Sequence, residues 1–338
     1  MVSVIIPAFN VEKQIEKCIQ SAADQTCKDI EIIVVDDGSS DDTGRICREL
    51  EKTCVNLRYI RQENKGVSVA RNTGIRESKG DYLMFVDGDD YIEPEITELL
   101  LKKAEEGYDI VCCCCRTAGE ETVYEDHFFR GDRSYHSDED KEELFLQLID
   151  PGYGKEGSRT VTAIGVPWGK LYRSSFIRSN GLQFDPELKR LQDNMFNMQA
   201  FAAAGSIYYL DLPLYDYRVD HIINYHKGYR HPGNSEKLIA KRKRFFEDNK
   251  RLYTEKTETE FKKYIYKSFM AGLKYYASGS RTYNRNIRQG FITLTEAEAF
   301  SGCMEWDLPH KLKHEKLAEI FIRLKMYLFL FCLLRMTL

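Results

Sequence analysis

The sequence has no apolar run long enough to cross a bilayer. Its uninterrupted stretch from Met326 to Leu334 falls far short of the roughly 20 residues a spanning helix requires. Its ten cysteines lack the spacing of a disulfide framework or a zinc module. Four of them are consecutive, Cys112 to Cys115, and consecutive residues of a strand point to opposite faces. The run from Ile110 to Cys115 therefore reads as a buried strand in which cysteine serves as a small hydrophobe. Thiols without a disulfide pattern suit a reducing cytoplasm. A signal peptide is not expected either, because a strand-like run opens at Val2. The basic segments carry no recognition motif for nucleic acid, so no nucleic-acid partner is expected.

What is present is charge of both signs, unevenly placed. The net charge of −4 conceals 26 Lys+Arg against 41 Asp+Glu in residues 1–220, and 23 against 12 in residues 221–338. A chain of 338 residues can hold a full domain and an appended one. The expected division is therefore an acidic domain, 1–220, and a basic helical region, 221–338.

The first part alternates strands with helices. Val2 to Pro7 reads as a buried strand stopped by Pro7. A helix is expected from near Val11 or Glu12, with Ile15, Cys18, Ile19 and Ala22 at helical spacing. Ile30 to Val35 is a second buried strand, ending in Asp36 and Asp37. Ser40 or Asp41 can cap the next helix, which runs to about Lys52. A third strand fits Leu57 to Arg61, a third helix Val67 to Ser78, and a fourth strand Tyr82 to Val86. This order implies an α/β fold with a largely parallel sheet flanked by helices. Ligands of such sheets sit beyond the carboxyl ends of the strands. Pro7 to Asn10, Asp36 to Ser39 and Asp87 to Asp90 all lie at those ends, so one shared site is expected.

Asp87-Gly88-Asp89-Asp90 carries the most chemistry. Carboxylates at spacing i, i+2 leave a strand on the same side and can converge on one ion. Hard oxygen ligands suit Mg²⁺ or Mn²⁺, which can bridge to a diphosphate. An acidic turn capping the helix near Pro94 is the other reading of the same residues.

Four segments, taken together, resemble the family 2 glycosyltransferases of the GT-A fold. They are Val4 to Asn10, Val34 to Ser39, Gly66 to Asn72 and Phe85 to Asp90, in the family's order and approximate spacing. The close resemblance covers about the first third of the chain, and a patchier one reaches about residue 220. It implies transfer of a sugar from a UDP-sugar to an acceptor hydroxyl, with inversion and with a divalent cation, Mn²⁺ or Mg²⁺. It implies that residues 1–110 bind nucleotide and 111–220 face the acceptor. Pro7, Ala8, Phe9 and Asn10 would line the nucleotide pocket, with Phe9 near the base. Asp36 and Asp37 would join them, Asp37 bonding the uracil ring. Arg71 would face the pyrophosphate or the base-binding loop. Asp87 and Gly88 would lie at the ribose, with Asp87 perhaps reaching the metal through water. Asp89 would ligate the metal, and Asp90 would orient Asp89 or approach the sugar.

Asp193, in Lys189 to Phe196, is the implied general base. A carboxylate within hydrogen-bond reach can take the acceptor's proton. Family members commonly carry Glu-Asp there, and this chain has Gln192-Asp193. A helix N-cap is the competing role for Asp193. Trp168, in Val166 to Tyr172, fits either stacking on a sugar or core packing. Gly119 to Glu143 reads as an exposed acidic loop. His221, His226, Lys227, Arg230 and His231 share one loop-like stretch. The resemblance allows a metal role to His221, and an ordinary exposed loop is the preferred reading.

Two other classes fit less well. A nucleotidyltransferase of related topology would carry a Gly-rich loop with Arg and Lys after the first strand, and that loop is absent. A non-catalytic sugar-nucleotide-binding module would not require both Asp89 and Asp193. At the far end, Ile320 to Arg335 is apolar with sparse cations. It is expected to lie as an interfacial helix, with Arg323, Lys325 and Arg335 snorkelling, and packing onto the domain or onto another copy is the other reading. With the resemblance, it implies a place on the inner face of the plasma membrane and a glycan or lipid-linked acceptor in surface-polysaccharide synthesis. No motif fixes the sugar or an oligomeric state.

Overall fold

The computed structural model describes residues 1–118, 123–153, 163–218, 232–308 and 311–337. The chain divides into two units, Met1–Ile223 and Asn224–Leu338.

The first unit is built in chain order from β1 (Val2–Ala8), α1 (Ile15–Ala23), β2 (Ile30–Asp36), α2 (Thr43–Glu51), β3 (Leu57–Arg61), α3 (Val67–Glu77), β4 (Tyr82–Phe85), β5 (Tyr91–Ile92) and α4 (Ile96–Ala104). It continues with β6 (Ile110–Ala118), β7 (Val123–Asp126), β8 (Arg133–Tyr135), α5 (Glu142–Ile149), β9 (Lys170–Arg173), α6 (Ser174–Ser179), α7 (Gln192–Ala203) and β10 (Ile207–Arg218). One mixed sheet runs β3-β2-β1-β4-β9-β6-β10-β5, with β7 paired to β6 and β8 to β10. Strands β3, β2, β1 and β4 are parallel, and so are β6 and β10. Strand β9 is antiparallel to both β4 and β6.

Strand order reverses beside β1: the chain moves outward to β2 and β3, then returns to β4 on the other side. Such a reversal opens a crevice at the carboxyl ends, where ligands of α/β sheets bind. The strands of this region are apolar on both faces, and Val4, Ile5, Ile6, Ile32, Ile33, Val34 and Phe85 are wholly buried. Helix α3 lies against β1 very closely. A Cβ on its Gly74 would sit 2.2 Å from Ile5 Cγ2, so only glycine permits this approach. The run Cys112–Cys115 is fully buried within β6, as its residue types imply.

Three expectations change. Strand β1 continues through Pro7 to Ala8. Val86 N donates to Ile5 O, so Pro7, two residues on, turns its missing N–H toward a side β4 no longer pairs. Helix α1 starts at Ile15, after turns in which Gln14 N and Ile15 N both donate to Val11 O. Within Gly119 to Glu143, the described residues form β7, β8 and the start of α5 rather than a loop. Both strands pair only at sheet margins, where charged side chains are tolerated and apolar alternation is not required. Their charges are also partnered: Glu143 pairs with Arg133 and accepts from Tyr135 Oη at 2.7 Å.

The second unit is helical: α8 (Pro232–Asp248), α9 (Glu255–Ser278), α10 (Arg285–Glu296), α11 (Lys313–Arg323) and α12 (Tyr327–Met336). The 24-residue α9 is capped by Thr254, whose side chain accepts from Thr257 N, and it packs against α8, α10 and α12. The expected single helix over Ile320 to Arg335 is instead broken. Lys325 takes φ +54, Met326 N donates to Phe321 O, and Lys325 N to Ile322 O. That pair of bonds is a Schellman stop. Helix α12 buries Tyr327, Leu330, Phe331 and Leu334, spaced as one helical face. Among the described residues no helix is long and apolar enough to cross a membrane.

Candidate active site

The loops leaving β1 and β2 clasp each other. Asn10, at φ +53, donates its N–H to Ser39 Oγ at 3.0 Å, and its Oδ1 accepts from Ser40 N at 2.8 Å. Val11 N donates to Thr43 Oγ1, Glu12 N to Asp41 Oδ2, and Asp42 N to Glu12 Oε2. Asn10 thus ties loop to loop. Phe9, beside this clasp, is 48% exposed, which removes core packing as its role.

Asp36 and Asp37 both have internal hydrogen-bond partners. Asp36 is wholly buried and accepts from Ser39 N, Tyr59 Oη and Arg61 Nη1 at 2.8, 2.6 and 3.2 Å. Its oxygens serve the scaffold, because a buried carboxylate must be satisfied by nearby donors. Asp37 is also buried and accepts from Gln62 Nε2, Lys65 N and Gly66 N. It orders the segment that leads into α3 and so sets where Arg71 begins.

Arg71 is 3% exposed and donates from Nη2 to Asp87 Oδ1 at 2.6 Å. Its guanidinium lies 5.2 Å from the Phe184 ring centroid, and Phe184 stacks on Phe196 of α7 at 4.0 Å. Burial opposes its charge, yet the Asp87 and Asp193 carboxylates together hold its pKa above the ordinary arginine value. Arg71 Nε and Nη1 are buried without a hydrogen-bond partner. Buried donors of a charged group are costly to leave unmet.

Gly88 crosses directly over β1. A Cβ there would lie 3.0 Å from Pro7 O, so glycine lets the Asp87–Asp89 turn lie against the end of β1. Strand β10 fixes this turn from the other side. Asp87 N donates to Tyr215 Oη at 3.1 Å, and Tyr215 Oη donates to Asp90 Oδ2 at 2.8 Å. Arg218 N donates to Asp90 Oδ1 at 2.8 Å. Asp90 is 1% exposed, and burial, then the neighbouring Asp89 and Asp87, pushes its pKa well up. Asp90 thus ties the turn to β10. Trp168 is 2% exposed and stacked on Tyr215 at 4.2 Å, which is packing that steadies the tether.

Asp193 lies in the first turn of α7, which begins at Gln192 after Leu191 at φ +55. It is not the N-cap, and its Oδ1 accepts from Asn194 N, a first-turn amide, at 2.7 Å. Burial lifts its carboxyl above the usual carboxylate range, with Arg71 opposing and Asp87 reinforcing. A carboxylate lifted this way is a stronger proton acceptor. Gln192 Oε1 is buried without a partner. Asp87, Arg71 and Asp193 thus form one electrostatic cluster at the strand ends, with Asp89 beside them. His221, His226, Lys227, Arg230 and His231 lie outside the described residues.

The model of the family described as "Glycosyl transferase family 2" matches residues 3–162. The match takes in just under half of the chain and shows similarity to that family. The chain is 36% identical over 220 residues to the uncharacterized glycosyltransferase EpsJ of Bacillus subtilis (strain 168), covering 64% of this chain and 61% of EpsJ. It spans about three fifths, or less, of the length of the first curated relatives it matches. The solved structure of S. aureus TarS 1-349 in complex with UDP-GlcNAc matches 99% of this chain and 90% of that one, with TM-score 0.69 and 20% identity. Mannosyltransferase PcManGT from Pyrobaculum calidifontis, solved with GDP-Man and Mn²⁺, matches 98% and 84%, with TM-score 0.52 and 14% identity. At those identities the likeness shows the fold, which is GT-A.

Sequence reasoning missed Tyr215 and Arg218. Both act on residues more than 120 positions earlier, and no local pattern reports a contact at that separation.

Proposed function

We propose that this chain is an inverting, metal-dependent glycosyltransferase using a UDP-sugar. It moves a hexose or N-acetylhexosamine to a hydroxyl of a glycan or lipid-linked acceptor in surface-polysaccharide assembly. The observation that carries the reading is the buried Arg71 with unmet donors, set between Asp87 and Asp193 at the switch point of the sheet. The UDP part is supported by the likeness to TarS, which was solved with UDP and with UDP-GlcNAc.

The acceptor oxygen attacks the anomeric carbon while the bond from that carbon to the diphosphate oxygen breaks. Asp193 takes the hydroxyl proton, and UDP leaves with the bonding pair. Arg71 directs its free donors to the negative charge that builds there. Asp87 and Asp89 offer hard carboxylate oxygens that fit Mn²⁺ or Mg²⁺, whereas Asp90 is committed to Tyr215 and Arg218. A bound divalent cation would supply charge neutralisation of the diphosphate.

The second unit supports contact with an anionic lipid surface at the cytoplasmic leaflet. Outside the face that α12 buries, Ile320, Leu324, Leu328 and Phe329 are each at least half exposed, in the basic part of the chain. The experiment for the whole reading is a panel of UDP-sugars with Mn²⁺, followed by UDP release. Turnover with at least one donor, lost in Asp89→Asn and in excess chelator, is expected. Full activity in that variant overturns the metal assignment.

A further inference from the structure

Outside the cluster at the strand ends, one other group of side chains converges on a point. Cys114 of β6, His127 just after β7 and Asp211 of β10 bring a sulfur, a ring nitrogen and a carboxylate oxygen together. Cys114 Sγ lies 3.6 Å from His127 Nδ1 and 3.9 Å from Asp211 Oδ1, and His127 Nδ1 lies 2.6 Å from Asp211 Oδ1. Among the described residues this is the one group of three such ligand atoms that close together.

The backbone departs from regular pairing to make it. Strand β10 shifts register between Leu210 and Pro213, which partner the consecutive residues Cys113 and Cys114. Asp211 and Leu212 are the extra residues of that bulge, and bulges commonly re-aim a side chain.

The geometry discriminates between two uses of such a trio. A nucleophilic thiol must reach a substrate and pass its proton to a free ring nitrogen. Here Cys114 is wholly buried, and Nδ1 already faces Asp211 Oδ1 at 2.6 Å. Three ligand atoms within 4.8 Å of one another can instead share a metal ion. The outer partners fit as well. His127 Nε2 faces Glu125 Oε2 at 3.1 Å, the carboxylate–imidazole contact that orients a metal-binding ring. Asp211 is held by Gly131 N at 2.6 Å and Tyr209 Oη at 3.0 Å.

We propose that Cys114, His127 and Asp211 bind a borderline divalent ion of the Zn²⁺ type, separate from the hard-ion site of Asp87 and Asp89. Sulfur and imidazole select Zn²⁺ or Co²⁺ over Mg²⁺ and Mn²⁺. The Cys114 thiol releases its proton on binding, and any proton on His127 Nδ1 is released too. Thiolate and carboxylate then balance the two positive charges. The His127 side chain is 37% exposed, which gives the ion a way in and leaves room for a water as fourth ligand. The ion joins β6, the end of β7 and the β10 bulge.

The test uses the full chain, stripped with chelator and titrated with Zn²⁺ alone and with Co²⁺ alone. One equivalent of Zn²⁺ should bind, and Co²⁺ should give a thiolate charge-transfer band. Cys114→Ser should abolish the band and weaken Zn²⁺ binding by more than about 10²-fold, beyond the loss typical of an outer partner. Asp89→Asn should leave both signals in place. Should Cys114→Ser fail to fold, His127→Gln, at the half-exposed end, decides with the same readouts. Substoichiometric Zn²⁺ in the unaltered chain, or binding unchanged in His127→Gln, overturns the proposal.

Discussion

Replacing Tyr215 by Phe isolates one hydroxyl. The ring that stacks on Trp168 at 4.2 Å remains, and only the bridge between Asp87 N and Asp90 Oδ2 is lost. Asp90 is almost wholly buried, so an oxygen left unmet there costs about 1–3 kcal/mol. The Asp87 N–H is in a part-buried setting and adds less. The expected result is a lower urea midpoint at unchanged slope. The turn that carries Asp87 and Asp89 also loses an anchor. A misplacement worth about 1.4 kcal/mol raises the Mn²⁺ needed for half-maximal UDP-sugar turnover about tenfold. The sign with pH follows from the hydrogen bond. Tyr215 donation favours the ionised Asp90 against the larger effect of burial, so the variant holds that proton more tightly. The stability gap between the two proteins should therefore narrow as pH falls. An unchanged urea midpoint together with an unchanged Mn²⁺ titration refutes the tether.

The other predictions are these. Asp193→Asn should cut transfer by at least about 10²-fold while keeping UDP binding, measured by turnover and calorimetry. The raised pKa of Asp193 means stability is lost as pH rises from the usual carboxylate range through the raised value, so Asp193→Asn should be the more heat-stable protein at neutral pH. Gly88→Ala should destabilise by about 1–3 kcal/mol through crowding against Pro7 O, read by thermal unfolding. Leu328→Ser with Phe329→Ser should weaken anionic-liposome binding at least about tenfold in a sedimentation assay, since each buried side chain contributes about 1.5–3 kcal/mol. High salt should weaken that binding without abolishing it, and unchanged binding in the double variant would refute the lipid reading. These exposed positions test it better than truncation, which would also strip Tyr327 and Leu330 from the helical core.

The strand ends were legible because they are local. Buried strands followed by Asp36-Asp37 and Asp87-Gly88-Asp89 show themselves in a few consecutive residues, and so does the helix holding Asp193. What the carboxylates do was not legible. Folding brings Tyr59, Gly66 and Tyr215 to Asp36, Asp37 and Asp90 from afar. The cysteine run was judged by its own spacing, which correctly gave a buried strand. It could not report that His127 and Asp211 arrive beside Cys114. Composition does not reveal the left-handed stop at Lys325 that divides the tail into two helices.

The sheet order bears on how this chain can be rearranged. β5 comes from the first 110 residues, yet it forms the far edge beside β10, and β9 is laid between β4 and β6. The chain before residue 110 and the chain after it are therefore laced together at two places. A chimera that exchanged the first 110 residues for those of a relative would have to match a β10 edge and a Tyr215 tether supplied by the other parent. The two stretches are not separate cassettes here; they must change together, within one sheet.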